Sequence, residues 1–490
     1  MGARSVKPQV EVLQNFIGGA WVPSKTERVE DIPNPATGDL LARVPYSTVG
    51  DVEAAVAAAA RAYPAWRDTP VVERARVMFR FRQVLEDHLE ELALLVTQEN
   101  GKTVEEARGE VRRGIEVVEF ACGMPTLMMG NVVEDTARGI DSELIRVPLG
   151  VVVGICPFNF PAMIPLWMFP IALTAGNAFV LKPSERTPLS AVRFADLLTE
   201  AGLPAGVLNL VHGVKEAVDA LLAHPAVKAV SFVGSAPVAQ YIYQTAAAHG
   251  KRVQALAGAK NHLIVMPDAD LERTVPAIIS SAFGNAGERC LAGSVVVAVG
   301  DVADRFVPLL AAAAAKLRVG VGWDSATEMG PVIRPNHRRR ILDFIERGTQ
   351  EGAHLVCDGR AQVPRDETGF FVGATVFDHV RPEMTIAQEE IFGPVLGVIR
   401  VATLDEALQV VNRSRYGNMA CIFTASGKAA REFRVRVEAG MLGINIGVAA
   451  PIAFFPFTGW KGSFYGDLHA TGKDAVEFYT EKKVVTSRWF

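Results

Sequence analysis

Short apolar runs alternate with stretches of helical periodicity through the middle of the chain. Glycine, proline and asparagine bound the runs, so each is interpreted as a buried strand, and the stretches between them are interpreted as amphipathic helices. The predicted strands are residues 150–155, 178–181, 207–211, 229–233 and 253–256, and the predicted helices are 190–200, 215–223 and 238–248. This alternation predicts a doubly wound α/β domain.

A second α/β pattern lies further along the chain. It predicts strands at 294–299, 374–377 and 395–401 and helices at 303–317 and 338–351. The two patterns share no sequence similarity, so we expect a second domain and not an internal repeat. Residues 130–146 and 482–490 are interpreted as exposed strands, which are commonly paired in an oligomer.

Residues 147–181 contain no charged side chain, which first suggests a membrane span. Four prolines divide the segment: Pro157, Pro161, Pro165 and Pro170. We therefore predict a strand, a loop and a short buried helix that carry a site in the core.

Length and charge narrow the class of protein. A chain of 490 residues is too long for one compact core, and its 49% hydrophobic and 21% charged residues are typical of a globular enzyme. The net charge of −4 and the lack of a long basic run disfavour binding to nucleic acid or to an anionic membrane. The short run 337–340 is interpreted as a solvated helix face.

The cysteines indicate the compartment. Five are spread along the chain without a CxxC pair, which disfavours a disulfide framework and a zinc site and favours a reducing compartment, the cytoplasm. Residues 1–10 lack the apolar core of an export signal and the long Arg- and Ser-rich stretch of a transit signal.

The segment Gly287-Glu288-Arg289-Cys290-Leu291-Ala292 is the strongest candidate for chemistry. A cation next to a cysteine favours the thiolate, so Arg289 is expected to lower the pKa of Cys290. For a lone cysteine, however, a buried structural role is the more common one. Other features must decide between the two.

A candidate anion site follows the predicted strand 229–233. The strand runs into Gly234-Ser235 and a helix that opens near Pro237, a layout that can hold a dinucleotide pyrophosphate. No GxGxxG motif is present, and Gly320-Val321-Gly322 is interpreted as a turn.

Five motifs, in order and at similar spacing, resemble the aldehyde dehydrogenase superfamily along nearly the whole chain. They are Pro157-Phe158-Asn159-Phe160, Lys182-Pro183-Ser184-Glu185, Phe232-Val233-Gly234-Ser235, the Cys290 segment, and Glu389-Glu390-Ile391-Phe392-Gly393-Pro394. Residues 257–262, 443–445 and 454–461 are similar to the CoA-acylating methylmalonate-semialdehyde dehydrogenase branch.

The resemblance implies the domain organisation. We expect a Rossmann-type NAD-binding domain at 1–129 and 148–256, an α/β catalytic domain at 257–466, and a small β oligomerisation arm at 130–147 and 467–490. It also implies a homo-oligomer, expected to be a tetramer built as a dimer of dimers.

The resemblance implies roles for individual residues. Cys290 would attack the aldehyde, and the side-chain amide of Asn159 with the backbone N–H of Cys290 would stabilise the oxyanion. The residues implied to bind NAD are Cys156 (through its backbone), Phe158, Lys182, Glu185, Arg186, Ser235, Glu390 and Phe392. Glu185 would repel a 2′-phosphate and so favour NAD over NADP.

Leu256 departs from the hydrolytic members of the superfamily, which carry a glutamate there to activate water. Leucine cannot act as a base. A thiol with a pKa of roughly 8.5 already supplies thiolate near neutral pH, so coenzyme A is the expected acyl acceptor.

Two arginines suggest a carboxylated substrate. Arg289 adjoins the nucleophile, and Arg113 resembles a carboxylate-binding arginine of the family, although its spacing alone favours a helix-surface pair with Glu110 or Glu116. The implied substrates are malonate and methylmalonate semialdehyde, and the implied products are acetyl-CoA and propionyl-CoA.

Three other functions stay open. A hydrolytic aldehyde dehydrogenase would release a free acid and would need a substitute base. A thioesterase-like enzyme would use Cys290 without NAD. A non-catalytic structural protein would have no need of Asn159 and Cys290, yet both are present.

Overall fold

The protein is described by a computed structural model that covers residues 10–363 and 368–490. The strands are β1 Asn15–Ile17, β2 Ala20–Val22, β3 Val29–Pro33, β4 Leu40–Pro45, β5 Asn131–Ala137, β6 Ile140–Pro148, β7 Val151–Ile155, β8 Ala178–Lys182, β9 Leu208–Leu210, β10 Val227–Val233, β11 Arg252–Leu256, β12 Asn261–Val265, β13 Gly293–Val299, β14 His354–Cys357, β15 Thr375–Asp378, β16 Val395–Val401, β17 Tyr416–Gly417, β18 Met419–Phe423, β19 Met441–Ile444, β20 Trp460–Lys461, β21 Phe464–Gly466 and β22 Thr480–Arg488.

The α-helices are α1 Val49–Asp68, α2 Val71–Asp87, α3 Leu89–Asn100, α4 Val104–Cys122, α5 Met124–Leu127, α6 Met163–Thr174, α7 Leu189–Glu200, α8 Lys215–Ala223, α9 Ala236–Ala248, α10 Leu271–Phe283, α11 Val302–Ala315, α12 Pro335–Gln350, α13 Thr385–Gln388, α14 Leu404–Arg413, α15 Gly427–Arg436 and α16 Gly472–Phe478. Two short 3-10 helices span Gly284–Gly287 and Gly359–Ala361.

The first sheet has eight strands in the order β2-β1-β9-β8-β7-β10-β11-β21. Its five central strands, β9, β8, β7, β10 and β11, are parallel. The predicted strands and helices of the first pattern are confirmed within a few residues. The chain steps from β7 to β8 and β9 on one side and returns to β10 and β11 on the other. The switch point between β7 and β10 opens a crevice at the carboxyl ends of these strands. β21, from far along the chain, pairs with β11 at the edge of this sheet.

The second sheet has seven strands in the order β14-β15-β16-β13-β12-β18-β19, all parallel except β14. The prediction of a second α/β unit is confirmed, since β13 and β16 match the predicted strands and α11 and α12 match the predicted helices. Strands β12, β13, β16 and β18 of this sheet begin beside the crevice of the first sheet.

The uncharged segment 147–181 forms β7, a loop and α6, as predicted. Every residue of α6 is buried, so its uniformly apolar sequence reflects packing on all sides. Among residues 10–363 and 368–490, no helix combines the length and apolar character needed to cross a bilayer.

A third sheet, β22-β6-β5, is formed by the two segments predicted to be exposed strands. Val132, Val133 and Val484 are exposed on it, and Trp489 is exposed just after β22. The predicted turn at Gly320-Val321-Gly322 is confirmed, because Asp324 N donates to Val321 O at 3.1 Å. The expectation about the N-terminal segment lies mostly outside the described residues.

Candidate active site

Two sheet edges face one another at the candidate site. The first sheet contributes residues that follow β7, β8 and β10, at the carboxyl ends of parallel strands. The second contributes residues that precede β12, β13, β16 and β18 or begin them, at the amino ends. Contacts join the two groups, because Asn159 Nδ2 donates to Glu288 O and the ring of Phe158 packs against that of Phe392. The residues at these strand ends are Phe158, Asn159, Lys182, Ser235, Asn261, Cys290, Glu390, Phe392 and Asn418.

The loop that carries the candidate nucleophile is strained. After α10 ends at Phe283, three consecutive residues have positive φ: Asn285 at 51°, Ala286 at 50° and Gly287 at 73°. For a residue with a Cβ, the left-handed region costs of order 1–2 kcal/mol, and such strain is concentrated at functional sites. The turn directs Cys290 away from the end of α10 and into a cavity.

Two buried amides hold the carbonyl of Cys290. Asn261 Nδ2 and Asn418 Nδ2 each donate to Cys290 O at 2.9 Å, and Asn261 Nδ2 also donates to Ala292 O at 2.9 Å. Asn261 lies in the motif 257–262, but the motif alone does not predict a role for it. Nothing in the sequence marks Asn418 as a site residue. The clamp fixes the backbone of the thiol loop from the second sheet.

Burial dominates the pKa of the Cys290 thiol. It raises the pKa to about 12, the carboxylate of Glu390 adds to the rise, and backbone N–H groups and Arg289 oppose it. Arg289 lowers the pKa of this thiol, as expected, but burial has the larger effect, so the pKa lies above its ordinary value. Arg289 is itself paired with a carboxylate, which weakens its effect on the thiol.

Asn159 lies beside the thiol loop. It is buried, and its Nδ2 donates to Glu288 O at 2.8 Å, two residues before Cys290. A side-chain amide has two N–H donors, so the second can serve an oxyanion formed next to Cys290. The structure thus places Asn159 and Cys290 together, as the resemblance implies.

The thiol opens onto a cavity of about 320 Å³ that both arginines also line. Its wall is largely apolar, and the side chains include Val117, Phe160, Met163, Trp167, Leu291, Val448 and Phe457. Arg113 is far in sequence from the adjacent residues Arg289 and Cys290, yet all three line this one cavity. Three carboxylates of α4, Glu106, Glu110 and Glu116, also line the cavity, so a small carboxylate can bind only the guanidinium N–H groups that these residues leave free.

Each arginine is oriented by a carboxylate of helix α4. Arg289 Nη2 contacts Glu106 Oε1 at 2.8 Å, and Arg113 Nη1 contacts Glu116 Oε2 at 3.0 Å. Of the two pairings left open for Arg113, the structure has Glu116, because Glu110 is paired elsewhere. Sequence reasoning missed the role of Glu106.

The crevice of the first sheet carries the residues implied to bind adenosine. Lys182 Nζ lies 3.2 Å from Glu185 Oε2, and the Arg186 guanidinium lies 5.2 Å from the centre of the Phe158 ring. Burial favours a higher pKa for Glu185, but Lys182 and Arg186 outweigh it and hold the pKa below its ordinary value. An ionised carboxylate at this position suits a ribose hydroxyl.

The strand, turn and helix start of the predicted anion site are formed by β10, Gly234-Ser235 and α9. Ser235 is the N-cap, its side chain makes no capping bond, and the helix begins at Ala236, one residue earlier than predicted. A side chain at Gly234 would meet the ring of Phe232 at 2.4 Å. The free backbone N–H groups and the small residues fit the pyrophosphate of a dinucleotide.

Glu390 and Phe392 border the other end of the crevice. Glu390 Oε1 accepts a hydrogen bond from Ala259 N at 2.8 Å, and burial raises the pKa of this carboxyl to about 7. The ring of Phe392 packs edge-on against Phe158, with centroids 5.8 Å apart. Phe392 also has a positive φ of 58°, so this loop is strained too.

The run 337–340 anchors the loop that holds Glu390. Arg340 donates to Glu390 O at 2.7 Å and to Ile391 O at 2.6 Å, and His337 Nε2 lies 2.6 Å from Phe392 O. The run lies on helix α12, and Arg339 and Arg340 are exposed, as the interpretation of a solvated helix face expects, but that interpretation missed the contacts with the Glu390 loop. Backbone carbonyls fifty or more positions away cannot be recognised as partners from the run itself.

Cys156 combines a backbone at the sheet edge with a side chain in the core. Its N–H donates to Lys182 O at 3.0 Å, and its Sγ lies 3.9 Å from the sulfur of Met168. Burial raises the pKa of this thiol well above its ordinary value. Only its backbone can face a bound cofactor.

The thiol loop and the Glu390 loop are in contact at Gly287 and Gly393, and we expect a substitution at Gly287 to destabilise the protein strongly. A Cβ at Gly287 would lie 2.3 Å from Gly393 O, at a φ of +73°. We expect Gly287→Ala to lower the free energy of unfolding by about 2–4 kcal/mol and to remove most activity. Chemical denaturation and NADH formation measure the two effects.

Gly250→Ala is the matched control for that substitution. Gly250 has a similar φ of +67° but nothing within 4 Å of the added Cβ. It should cost about 1–2 kcal/mol and leave activity unchanged. Equal effects of the two substitutions on activity would contradict a functional contact between the loops.

The comparisons with known proteins agree with this geometry. The profile of the Aldehyde dehydrogenase family matches residues 21–485. Malonate-semialdehyde dehydrogenase 2 of Geobacillus thermodenitrificans is 61% identical over 98% of this chain and 99% of its own. A malonate-semialdehyde dehydrogenase of Halalkalibacterium halodurans is 58% identical over 98% and 99%.

Solved structures give the same picture. A methylmalonate-semialdehyde dehydrogenase from Oceanimonas doudoroffii superposes with a TM-score of 0.96 at 52% identity, over 98% of this chain and 99% of its own. A structure from Sinorhizobium meliloti 1021 complexed with NAD superposes with a TM-score of 0.97 at 46% identity, over 99% of both chains.

Proposed function

Because the chain belongs to the aldehyde dehydrogenase family, we propose that it oxidises malonate or methylmalonate semialdehyde with NAD and transfers the acyl group to coenzyme A. The products are acetyl-CoA or propionyl-CoA. The observation that carries this proposal is the cavity in which Arg113 and Arg289 face the Cys290 thiol. A cavity with two guanidinium groups selects an aldehyde that carries a carboxylate.

Cys290 is the nucleophile of the proposed reaction. Its thiolate attacks the aldehyde carbon, the S–C bond forms, and the carbonyl π electrons move to the oxygen. The free N–H of Asn159 and the backbone N–H of Cys290 are the donors for that oxyanion. The clamp by Asn261 and Asn418 supports this role, because it fixes the backbone that presents the donor.

The residues of the crevice fit NAD. Lys182 and Glu185 would hold the adenosine ribose, the N-terminus of α9 at Ser235 the pyrophosphate, and Glu390 the nicotinamide ribose, while Phe158, Arg186 and Phe392 form walls. When bound, NAD supplies the hydride acceptor that converts the hemithioacetal into a thioester. The NAD complex of the Sinorhizobium meliloti relative supports this assignment.

Leu256 supports coenzyme A as the acceptor. It ends β11, is buried, and contributes its backbone carbonyl to Gly234 N. A leucine side chain cannot activate water, whereas a thiolate exchanges with a thioester in a near-balanced reaction. In a malonyl-type thioester the β-carboxylate leaves as carbon dioxide while the thioester carbonyl accepts the electron pair. The proton added afterwards gives an acetyl or propionyl group.

Hydrolysis to a free acid is the second candidate function. Glu390 favours it, because its carboxyl has a pKa of about 7 and its charge acts on the Cys290 thiol. A base with such a pKa is well matched to neutral pH. An assay with and without NAD and coenzyme A, followed by product analysis, separates this function, a thioesterase and the proposed enzyme.

The proposal extends to the organisation of the protein. It assigns NAD binding to residues 1–129 and 148–256, catalysis to 257–466, and assembly to an arm at 130–147 and 467–490. The exposed valines and Trp489 of the arm support a homo-oligomer, and the proposed form, a tetramer built as a dimer of dimers, rests on the family resemblance. A reactive thiol needs a reducing compartment, which supports the cytoplasm.

Replacing either arginine should reduce activity selectively. We expect Arg113→Leu or Arg289→Leu to cost about 2–4 kcal/mol in kcat/KM for malonate semialdehyde, through the loss of a charge-assisted pair. Propanal, which has no carboxylate, should lose much less. Steady-state kinetics with both aldehydes measure the difference, and equal losses would mean that the arginines serve the structure or the thiol.

A glycine beside Arg289 offers a control that keeps both arginines. A Cβ at Gly284 would lie 2.4 Å from the Arg289 guanidinium, and the φ of −56° permits alanine. Gly284→Ala should displace the guanidinium and reproduce the selective loss for malonate semialdehyde. Gly250→Ala, which is remote from the cavity, should not.

A further inference from the structure

A fully buried ion pair lies beneath the candidate oxyanion donor. Lys102 Nζ is 2.5 Å from Glu110 Oε2, and the two side chains are 1% and 0% exposed. Removing two charges from water is costly, and well-packed apolar residues of similar volume are often equally stable or more so. The contacts of the pair indicate what it does beyond stabilising the fold.

These contacts converge on the segment that carries Asn159. Lys102 Nζ donates to Asn159 O at 2.8 Å and lies 4.2 Å from the centre of the Phe160 ring. Glu110 Oε1 accepts hydrogen bonds from Ala162 N at 2.8 Å and from Met163 N at 3.1 Å, at the start of α6. Two side chains therefore hold the backbone on both sides of Phe160.

The pair is itself held on rigid elements. Glu110 lies within α4, and Lys102 follows Gly101, which ends α3 with a φ of 96°. The carbonyls of Gly101 and Lys102 pack against two glycines, since a Cβ at Gly322 would meet Lys102 O at 2.3 Å and one at Gly330 would meet Gly101 O at 2.1 Å. The position of Lys102 is therefore determined by backbone packing.

The held segment connects directly to the thiol loop. Asn285 Nδ2 donates to Asn159 O at 3.2 Å, and Asn159 Nδ2 donates to Glu288 O. We infer that Lys102 and Glu110 are positioning residues that fix the side-chain amide of Asn159 relative to Cys290. The inference rests on the oxyanion role proposed for Asn159. The inference adds that the oxyanion role of Asn159 depends on the ion pair between Glu110 in helix α4 and Lys102 in the turn before that helix.

The test replaces the pair by apolar residues of similar length. The variant Lys102→Met/Glu110→Met keeps packing volume but leaves the N–H groups of Ala162 and Met163 without their acceptor, so its unfolding midpoint should fall by a few degrees while its Kd for NAD stays near that of the parent protein. The rate of the NADH burst with propanal should fall 10- to 100-fold. Propanal is used because it does not depend on the arginines, and the burst does not depend on the acyl acceptor.

A double-mutant cycle with Asn159→Ala separates positioning from a general structural effect. If the pair acts through Asn159, the methionine pair should change the burst rate less than threefold once Asn159 is alanine. Equal losses in both backgrounds, or an unchanged burst in the methionine variant, would overturn the inference. If Asn159→Ala alone has no effect, the proposed oxyanion role fails instead.

Two further variants complete the design. Lys215→Met breaks the exposed pair of Lys215 with Asp219 and should leave the burst unchanged. If the double-methionine variant does not fold, Glu110→Gln enters the same cycle, because it keeps an acceptor for Ala162 N and removes the charge that faces Lys102.

Discussion

Replacing Cys290 with alanine should abolish NADH formation and leave NAD binding within about twofold. The proposed function assigns the covalent adduct to the thiol and NAD binding to other residues, among them Lys182, Glu185 and Glu390. Loss of a nucleophile in a preorganised site costs on the order of 10⁴–10⁶ in rate. Stopped-flow absorbance at the NADH band and titration with NAD measure the two quantities.

A second cysteine provides the control for Cys290→Ala. Cys421 is fully buried in β18, so Cys421→Ala removes a thiol from the core without touching the cavity. It should keep the NADH burst. Mass spectrometry after mixing with aldehyde and NAD should place the acyl adduct on Cys290, and turnover retained by the Cys290→Ala variant would refute the assignment.

Without coenzyme A, we expect a burst of NADH near one equivalent per active site and then a slow steady state. Deacylation limits turnover, because Leu256 leaves water without the base that hydrolytic relatives use. General-base catalysis contributes about 10²–10⁴-fold, which sets the expected gain when coenzyme A is added. Rapid mixing with and without coenzyme A measures the burst and the steady state.

Product analysis decides how that acceleration arises. Chromatography should find acyl-CoA in place of free acid when coenzyme A is present. Fast turnover without coenzyme A, unchanged by its addition, would mean that another residue activates water. Glu390 would then be the first candidate, and Glu390→Gln should slow acid release more than the burst.

The central strands of the first sheet were predictable because they are buried on both faces and appear as short apolar runs, whereas helices α1–α4 and strands β12 and β18 were not predicted. Residues 395–401 and 215–223 were predicted with the bounds of β16 and α8. Helix ends were less accurately predicted: α11 ends at Ala315, two residues before the predicted end, since Lys316 and Leu317 continue the helical pattern past it.

The site was predictable where a motif carries its own chemistry, and not where long-range contacts decide. Cys290 and Asn159 follow from the family resemblance, and the structure brings them together. The partners of the arginines and the anchoring role of Arg340 depend on residues distant in sequence. The pKa of Cys290 was misjudged because burial, which sequence does not measure, outweighs the adjacent cation.

The contact between Gly287 and the Gly393 carbonyl has a consequence for engineering this protein. Any side chain added at Gly287 would collide with that carbonyl. The two residues before Gly287 are already in the left-handed region. Libraries that randomise residues 389–394 alone will mostly select for restored packing. Altered cofactor preference or substrate range will require residues 284–288 and 389–394 to be varied together in the same library.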